Sequence, residues 1–204
     1  MPPEPDIQKY CDQMEEVKTR IAVIDFYITG AGHALYKPTT IESAALQLRK
    51  TMEVIAMASL IANKDLYSKA HADFAKKWHA GELLKSLQKI NPDFYPKPVV
   101  ETPVDKPPAL HQLKERQPDF LTKAEFEEVY GRCGVILHSA NPFGNVINYD
   151  FFALLVGETR TKIVNLLNNH QIRLVGEPGF YLIHMKENQD DKVHYYRFQP
   201  APRA

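Results

Sequence analysis

The stretch Tyr130-Gly131-Arg132-Cys133-Gly134-Val135-Ile136-Leu137-His138-Ser139 carries the residue types and spacing best suited to chemistry. Five residues separate Arg132 from His138. A histidine exchanges protons near pH ~6.5, so it can act as general acid or base at neutral pH. An arginine is always charged and offers a planar fork that matches the oxygens of an anion such as phosphate. On a helix turning ~100° per residue, Phe126, Val129, Tyr130, Cys133, Ile136 and Leu137 share one apolar face, and Gly131, Gly134 and Val135 lie opposite. Arg132 and His138 flank that opposite face, about 120° apart. Each glycine costs a helix ~1 kcal/mol relative to alanine. Small residues also let another backbone approach, so this face reads as a contact surface. A plainer reading stands beside it: a surface arginine, and a histidine satisfying the last carbonyls and the dipole of a helix end. Spacing alone favours the plainer one.

The elements that must position these residues are mostly helical. Ile7, Tyr10, Met14, Val17, Ile21, Ile24 and Ile28 alternate at spacings of three and four, which predicts a bundle helix from about Asp6 to Ile28, stopped by Gly30-Ala31-Gly32. Thr39 and Glu42 have capping-box spacing and open a second helix whose stretch from Val54 to Ala62 is apolar nearly all round, as in a central, buried helix. Further helices are expected over Asp65–Trp78 and Gly81–Ile90. Residues 92–120 hold seven prolines and are expected to form an extended surface connection, neither helix nor central strand. Thr122 and Glu125 repeat the capping box and start the helix that bears Arg132, running to about Ser139. Asn141-Pro142-Phe143-Gly144 ends it, and a last helix spans about Tyr149–Gln171. Three short strands follow: Ile172–Val175, Phe180–Lys186 and Lys192–Phe198. The fold class is therefore mainly α: a helical bundle over residues 1–171, the proline-rich loop included, with a small C-terminal antiparallel β-meander over 172–204 packed on it.

Two features of the strands bear on function. With a five-residue loop at Glu187–Asp191, Phe180 faces Phe198, Leu182 faces Tyr196, and His184 faces His194. Two facing histidines can start a metal site, but third and fourth ligands are lacking, so an aromatic cross-strand face is the favoured reading. Tyr195, Tyr196 and Phe198 could stack on bases, although packing on the bundle is favoured. His71 and His79, around Trp78, form no catalytic constellation.

Composition limits the classes of function. Lys and Arg total 25, as do Asp and Glu, and the net charge of zero argues against non-specific coating of nucleic acid, which needs excess positive charge. Cys11 and Cys133 are the two cysteines, far apart and outside any zinc-like spacing, and read as reduced, buried thiols. The Pro-rich, acidic Met1–Asp6 does not read as a signal peptide, and no apolar run reaches ~18 residues. The expectation is a cytoplasmic protein without a membrane span, a metal or a cofactor.

Arg132-x5-His138 near the end of a helical bundle resembles the signature of the HEPN superfamily, an arginine followed after a few residues by histidine. Leu48-Arg49-Lys50-Thr51-Met52-Glu53 is similar to a helix carrying Arg and Glu in several branches of that family. The resemblance covers roughly residues 40–170. It departs from catalytic members at Cys133, where they usually carry a polar residue. It implies a metal-independent endoribonuclease in which His138 transfers a proton, Arg132 clamps the phosphate, and RNA is cleaved by its own 2′-OH to leave a 2′,3′-cyclic phosphate. It also implies a homodimer whose two sites meet at a cleft, a toxin or phage-defence role, and an antitoxin or regulatory partner. Arg49 and Glu53, one turn apart, read first as a structural ion pair and second as support for Arg132. Tyr130, Ser139 and Asn141 complete the set of candidate supporting or substrate-binding residues, with Tyr130 favoured as core. Catalytically silent members of the family exist, so the other reading is a non-catalytic module that binds a partner protein or a nucleotide. A dimeric scaffold without small-molecule chemistry is a third.

Overall fold

A computed structural model describes residues 5–65, 80–106, 109–117, 119–139, 143–144, 146–175 and 177–199. Five helices are seen in it: α1 (Pro5–Ile28), α2 (Lys37–Ala62), α3 (Ala80–Ile90), α4 (Lys123–Ile136) and α5 (Tyr149–Leu167). Five strands accompany them: β1 (Lys97–Lys106), β2 (Ala109–Glu115), β3 (Asn169–Ile172), β4 (Phe180–His184) and β5 (His194–Phe198). The helix expected over Asp65–Trp78, with His71 and His79, falls almost wholly outside the described residues.

The helices are amphipathic where the sequence says they should be. On α1, Ile7, Tyr10, Met14, Val17, Ile21 and Ile24 are buried, and only Ile28, at the end of the series, is exposed. Gly30 follows at φ +76, the left-handed conformation that ends helices readily in glycine. Gly32 is held tightly, since a Cβ there would fall within 2.7 Å of three ring atoms of Phe26. Helix α2 buries side chains around most of its circumference, among them Leu48, Met52, Ile55, Ala56 and Ser59. It packs on α1, α3, α4 and α5 and is the axis of the bundle.

Its start differs from the expected capping box. The helix begins at Lys37, with Pro38 in the first turn and Tyr36 as an extended N-cap (φ −139, ψ 164). Proline fits there because a first-turn N–H has no helical partner. Thr39 is thereby drawn inside the helix, where its hydroxyl donates to the Tyr36 carbonyl at 3.0 Å. Glu42 is released to accept the Tyr149 hydroxyl at 2.9 Å, which ties α2 to α5. The second box forms as read: Thr122 accepts from the Glu125 amide, and the Glu125 carboxylate accepts from the Thr122 amide at 2.9 Å.

The proline-rich connection is a correction to the sequence reading. Much of it is a β-hairpin, β1–β2, that lengthens the C-terminal meander into a five-stranded antiparallel sheet ordered β2-β1-β3-β4-β5. β1 is flanked on both sides despite Pro98 and Pro103. The register explains this. The Pro98 carbonyl accepts the Arg116 amide at 3.1 Å, so Pro98 faces β2 at the open end of the hairpin. Pro103, five residues on, turns its nitrogen away from β2, and β3 pairs with β1 only at Lys97 and Pro98. Pro103 therefore removes no ladder bond.

The meander keeps the expected facing pairs, Phe180 with Phe198, Leu182 with Tyr196 and His184 with His194. Its first strand comes three residues early. α5 ends at Leu167, and the His170 ring turns back to satisfy its last carbonyl, donating from Nδ1 at 2.7 Å. Tyr181, Ile183 and Met185 of the inner face join the bundle core.

Candidate active site

Helix α4 is held by its core face. Phe126, Val129, Tyr130, Cys133 and Ile136 are buried, and the opposite face of Gly131 and Val135 is exposed, as the wheel predicts. Regular helix stops at Ile136, earlier than expected. His138 follows in a terminal turn in which its amide donates to the Val135 carbonyl at 3.3 Å. The His138 side chain is exposed.

An open groove of about 450 Å³ runs between α2, α3 and α4, lined by Arg49, Lys85, Glu127, Tyr130, Gly134 and His138 among others. The sequence did not reveal which arginine would share it with His138. Arg49 reaches across from α2: its Nη1 donates to the Tyr130 carbonyl at 3.2 Å and its Nη2 to the Tyr130 hydroxyl at 2.8 Å. Its guanidinium lies 3.9 Å over the Tyr130 ring. Glu53 pairs with Arg49 at 3.5 Å and accepts the Tyr130 hydroxyl at 3.1 Å. Burial first, and the Glu53 carboxylate second, hold the Tyr130 phenol above its usual pKa. It stays protonated at neutral pH and serves as a hydrogen-bond donor. Gly134 makes room for this arrangement, because a Cβ there would meet Arg49 Nη1 at 3.1 Å.

Arg132 does not line this groove. It sits on the adjacent flank of α4, where Nη2 pairs with Glu128 at 2.5 Å and the guanidinium lies 5.1 Å from the centre of the Phe151 ring. Its side chain is 43% exposed. Within one chain, then, Arg49, Tyr130 and His138 line one groove, Glu53 braces the first two, and Arg132 stands on the adjacent flank of α4. Ser139 is exposed next to His138. Asn141 lies outside the described residues.

The other candidates resolve as follows. Cys11 and Cys133 are free and buried, and burial pushes both thiols up to about 12, so neither is a nucleophile at neutral pH. His184 and His194 engage separate carboxylates: His184 Nδ1 lies 2.6 Å from Glu187 and His194 Nε2 lies 3.0 Å from Asp190. Among the described residues, no group of three or more His, Cys, Asp or Glu is placed to hold a metal ion. Tyr195 packs toward the core, whereas Tyr196 and Phe198 are exposed on the outer face of the sheet. Among the described residues no helix is long and apolar enough to cross a membrane.

Lys85 and Glu127 were missed by the sequence reading, because nothing local says that α3 borders α4. For Arg49, Gly134 was the usable signal. A helical glycine beside an arginine-bearing neighbour marks where a long side chain crosses.

Comparison with family models, with curated proteins and with solved structures yields no match to this chain.

Proposed function

We propose that the chain is a metal-independent RNA endonuclease of the HEPN type, acting as a homodimer, with His138 as its proton-transfer group. The observation that carries the reading is that an exposed imidazole, His138, shares an open groove with the clamped guanidinium of Arg49 and a protonated phenol, Tyr130. The reaction needs a proton moved between the 2′-OH, the solvent and the leaving 5′-oxygen, and a cation beside the crowded phosphate. His138 performs the first task. Arg49 contributes positive charge from a fixed position, held by Tyr130 and Glu53 so that little ordering is left for the moment of reaction. Arg132 supplies a second guanidinium from the neighbouring flank of α4, where it must leave Glu128 to meet a phosphate. Gly131 and Val135 line the edge of the groove nearest Arg132, and they form the face on which a second copy would bring the two sites together. Toxin or phage-defence activity, held in check by an antitoxin or regulatory protein, is the setting such a nuclease fits.

The test is to incubate the purified chain in EDTA with a single-stranded RNA and with DNA of the same sequence. The expected outcome is cleavage of the RNA alone, with 2′,3′-cyclic phosphate ends. Cleavage of both, or of neither, contradicts the proposal. A catalytically silent module that binds a partner protein or nucleotide is the second reading. It is favoured by the same engagement of Arg49, which leaves its guanidinium less free to meet a phosphate.

A further inference from the structure

The groove at His138 does not end at α3. It shares Glu82, Lys85 and Glu127 with a second trough of about 580 Å³ along the α3–α4 seam, lined further by Lys89, Phe94 and Lys123. Lys123 also lines a third hollow, against the root of the β1–β2 hairpin, together with Lys97 and Arg116. Neighbouring hollows share lining residues, so the three lie in series. The ends of this path are far apart, because His138 lies just past the C-terminal end of α4 and Lys123 is the first residue of that helix. Fourteen helical residues span about 20 Å.

The charges along the path are of two kinds. Some cations are answered by carboxylates: Lys85 lies 3.6 Å from Glu127, and Lys97 lies 2.9 Å from Asp93. Among the described residues, no carboxylate lies within ion-pair distance of Lys89, Lys123 or Arg116, although Lys123 is near enough to Asp93 to help lower its pKa. Lys123 donates to the Gln88 side chain at 2.5 Å and lies 5.4 Å from the centre of the Phe94 ring. Arg116 donates to the Asn165 side chain at 2.8 Å. Lys89 and Lys123 are exposed. Glu82 and Glu115 line the path as well, yet cations outnumber carboxylates along it, a local surplus of positive charge that suits a polyanion in a chain with no net charge.

We infer that this trough is a track for single-stranded RNA, which enters the His138 groove along the α3–α4 seam and is held by its phosphates at Lys89, Lys123 and Arg116. The inference rests on the ribonuclease reading for its choice of polyanion. It adds that substrate must extend well beyond the scissile dinucleotide. Glu82 and Glu127 line the same path and keep bases or riboses, not phosphates, at their positions.

The test uses the full chain and the variants Lys89→Gln, Lys123→Gln and Arg116→Gln, singly and combined. Binding of a fluorescein-labelled single-stranded RNA twelvemer, of ~12 nucleotides, is followed by anisotropy from low to moderate salt. Cleavage of a dinucleotide is measured in parallel. The combined variant is expected to bind the oligomer at least about tenfold more weakly at moderate salt. The slope of log K against log salt is expected to fall by about 2, at ~0.7 for each phosphate no longer neutralised. Dinucleotide cleavage is expected to be unchanged. Unaltered affinity and slope would overturn the track, as would equal binding of a polyglutamate peptide. Salt-dependent oligomer binding that falls in the variants, with no cleavage of either RNA by the parent chain, would keep the track and remove the nuclease reading. Cleavage that ignores substrate length in parent and variants alike would do the opposite.

Discussion

His170 is completely buried, and its two ring nitrogens have fixed roles. Nδ1 donates to the Leu167 carbonyl, and Nε2 accepts the Tyr10 hydroxyl at 2.8 Å. Both bonds suit the neutral ring. Burial lowers its pKa from an ordinary 6.5 to about 4, against a smaller opposing pull from the Leu167 carbonyl. The direction of the consequence is definite. Above pH 6.5 the ring is neutral in folded and unfolded chains alike, and the full contribution to stability is present. As pH falls below 6.5 the unfolded chain takes up a proton that the folded chain refuses, and stability drops until pH passes through about 4. The total loss is roughly 3 kcal/mol at ~1.4 kcal/mol per pKa unit. Urea unfolding between pH 7 and 4 is expected to show this slope in the parent and to lose most of it in His170→Gln, whatever that variant's absolute stability. Parallel slopes in the two would contradict the assignment.

At the scale of elements, α4 poses the question of why a helix keeps two glycines on one side. They are not equivalent. Nothing lies within 4 Å of a Cβ built at Gly131, whereas at Gly134 it would meet the Arg49 guanidinium. Gly131→Ala is therefore expected to stabilise the isolated chain by up to ~1 kcal/mol, the ordinary helix preference for alanine. Gly134→Ala must displace Arg49 and gains less or loses. Equilibrium unfolding of the two variants checks the contrast, and a destabilised Gly131→Ala would contradict an open position. The glycine face of α4 was legible in the sequence because a helical wheel needs only local spacing. So were the core stripe of α1, the Thr122 cap and the β4–β5 pairing, each set within one or two elements. What stayed hidden was set by distant partners. Pro98 and Pro103 hid a hairpin because their tolerance depends on which strand edge each nitrogen faces. The burial of His170 against Tyr10, 160 positions earlier, likewise left no local mark. Arg49 read as half of a local ion pair with Glu53, and its reach to Tyr130, 81 positions later in the chain, carries no local mark.

At the scale of the whole molecule, overall neutrality and a local anion site are compatible because ion pairing is uneven over the surface. Carboxylates pair with cations along α1, α5 and the meander, as Asp25 with Arg160 and Glu177 with Arg197. The α3–α4 seam holds one such pair, Lys85 with Glu127, but also Lys89 and Lys123 with no carboxylate in ion-pair distance, and it leads to His138. Everything proposed for function depends on that one imidazole being the proton-transfer group. The most direct test is the rate at which His138→Ala cleaves single-stranded RNA in EDTA, relative to the parent chain, with the fold of the variant verified by its unfolding curve. His138 is exposed in the turn after α4, so the substitution is expected to leave stability nearly unchanged. The expected result is a fall of at least about 100-fold, the usual worth of a general acid or base. A folded His138→Ala that cleaves as fast as the parent would contradict the account.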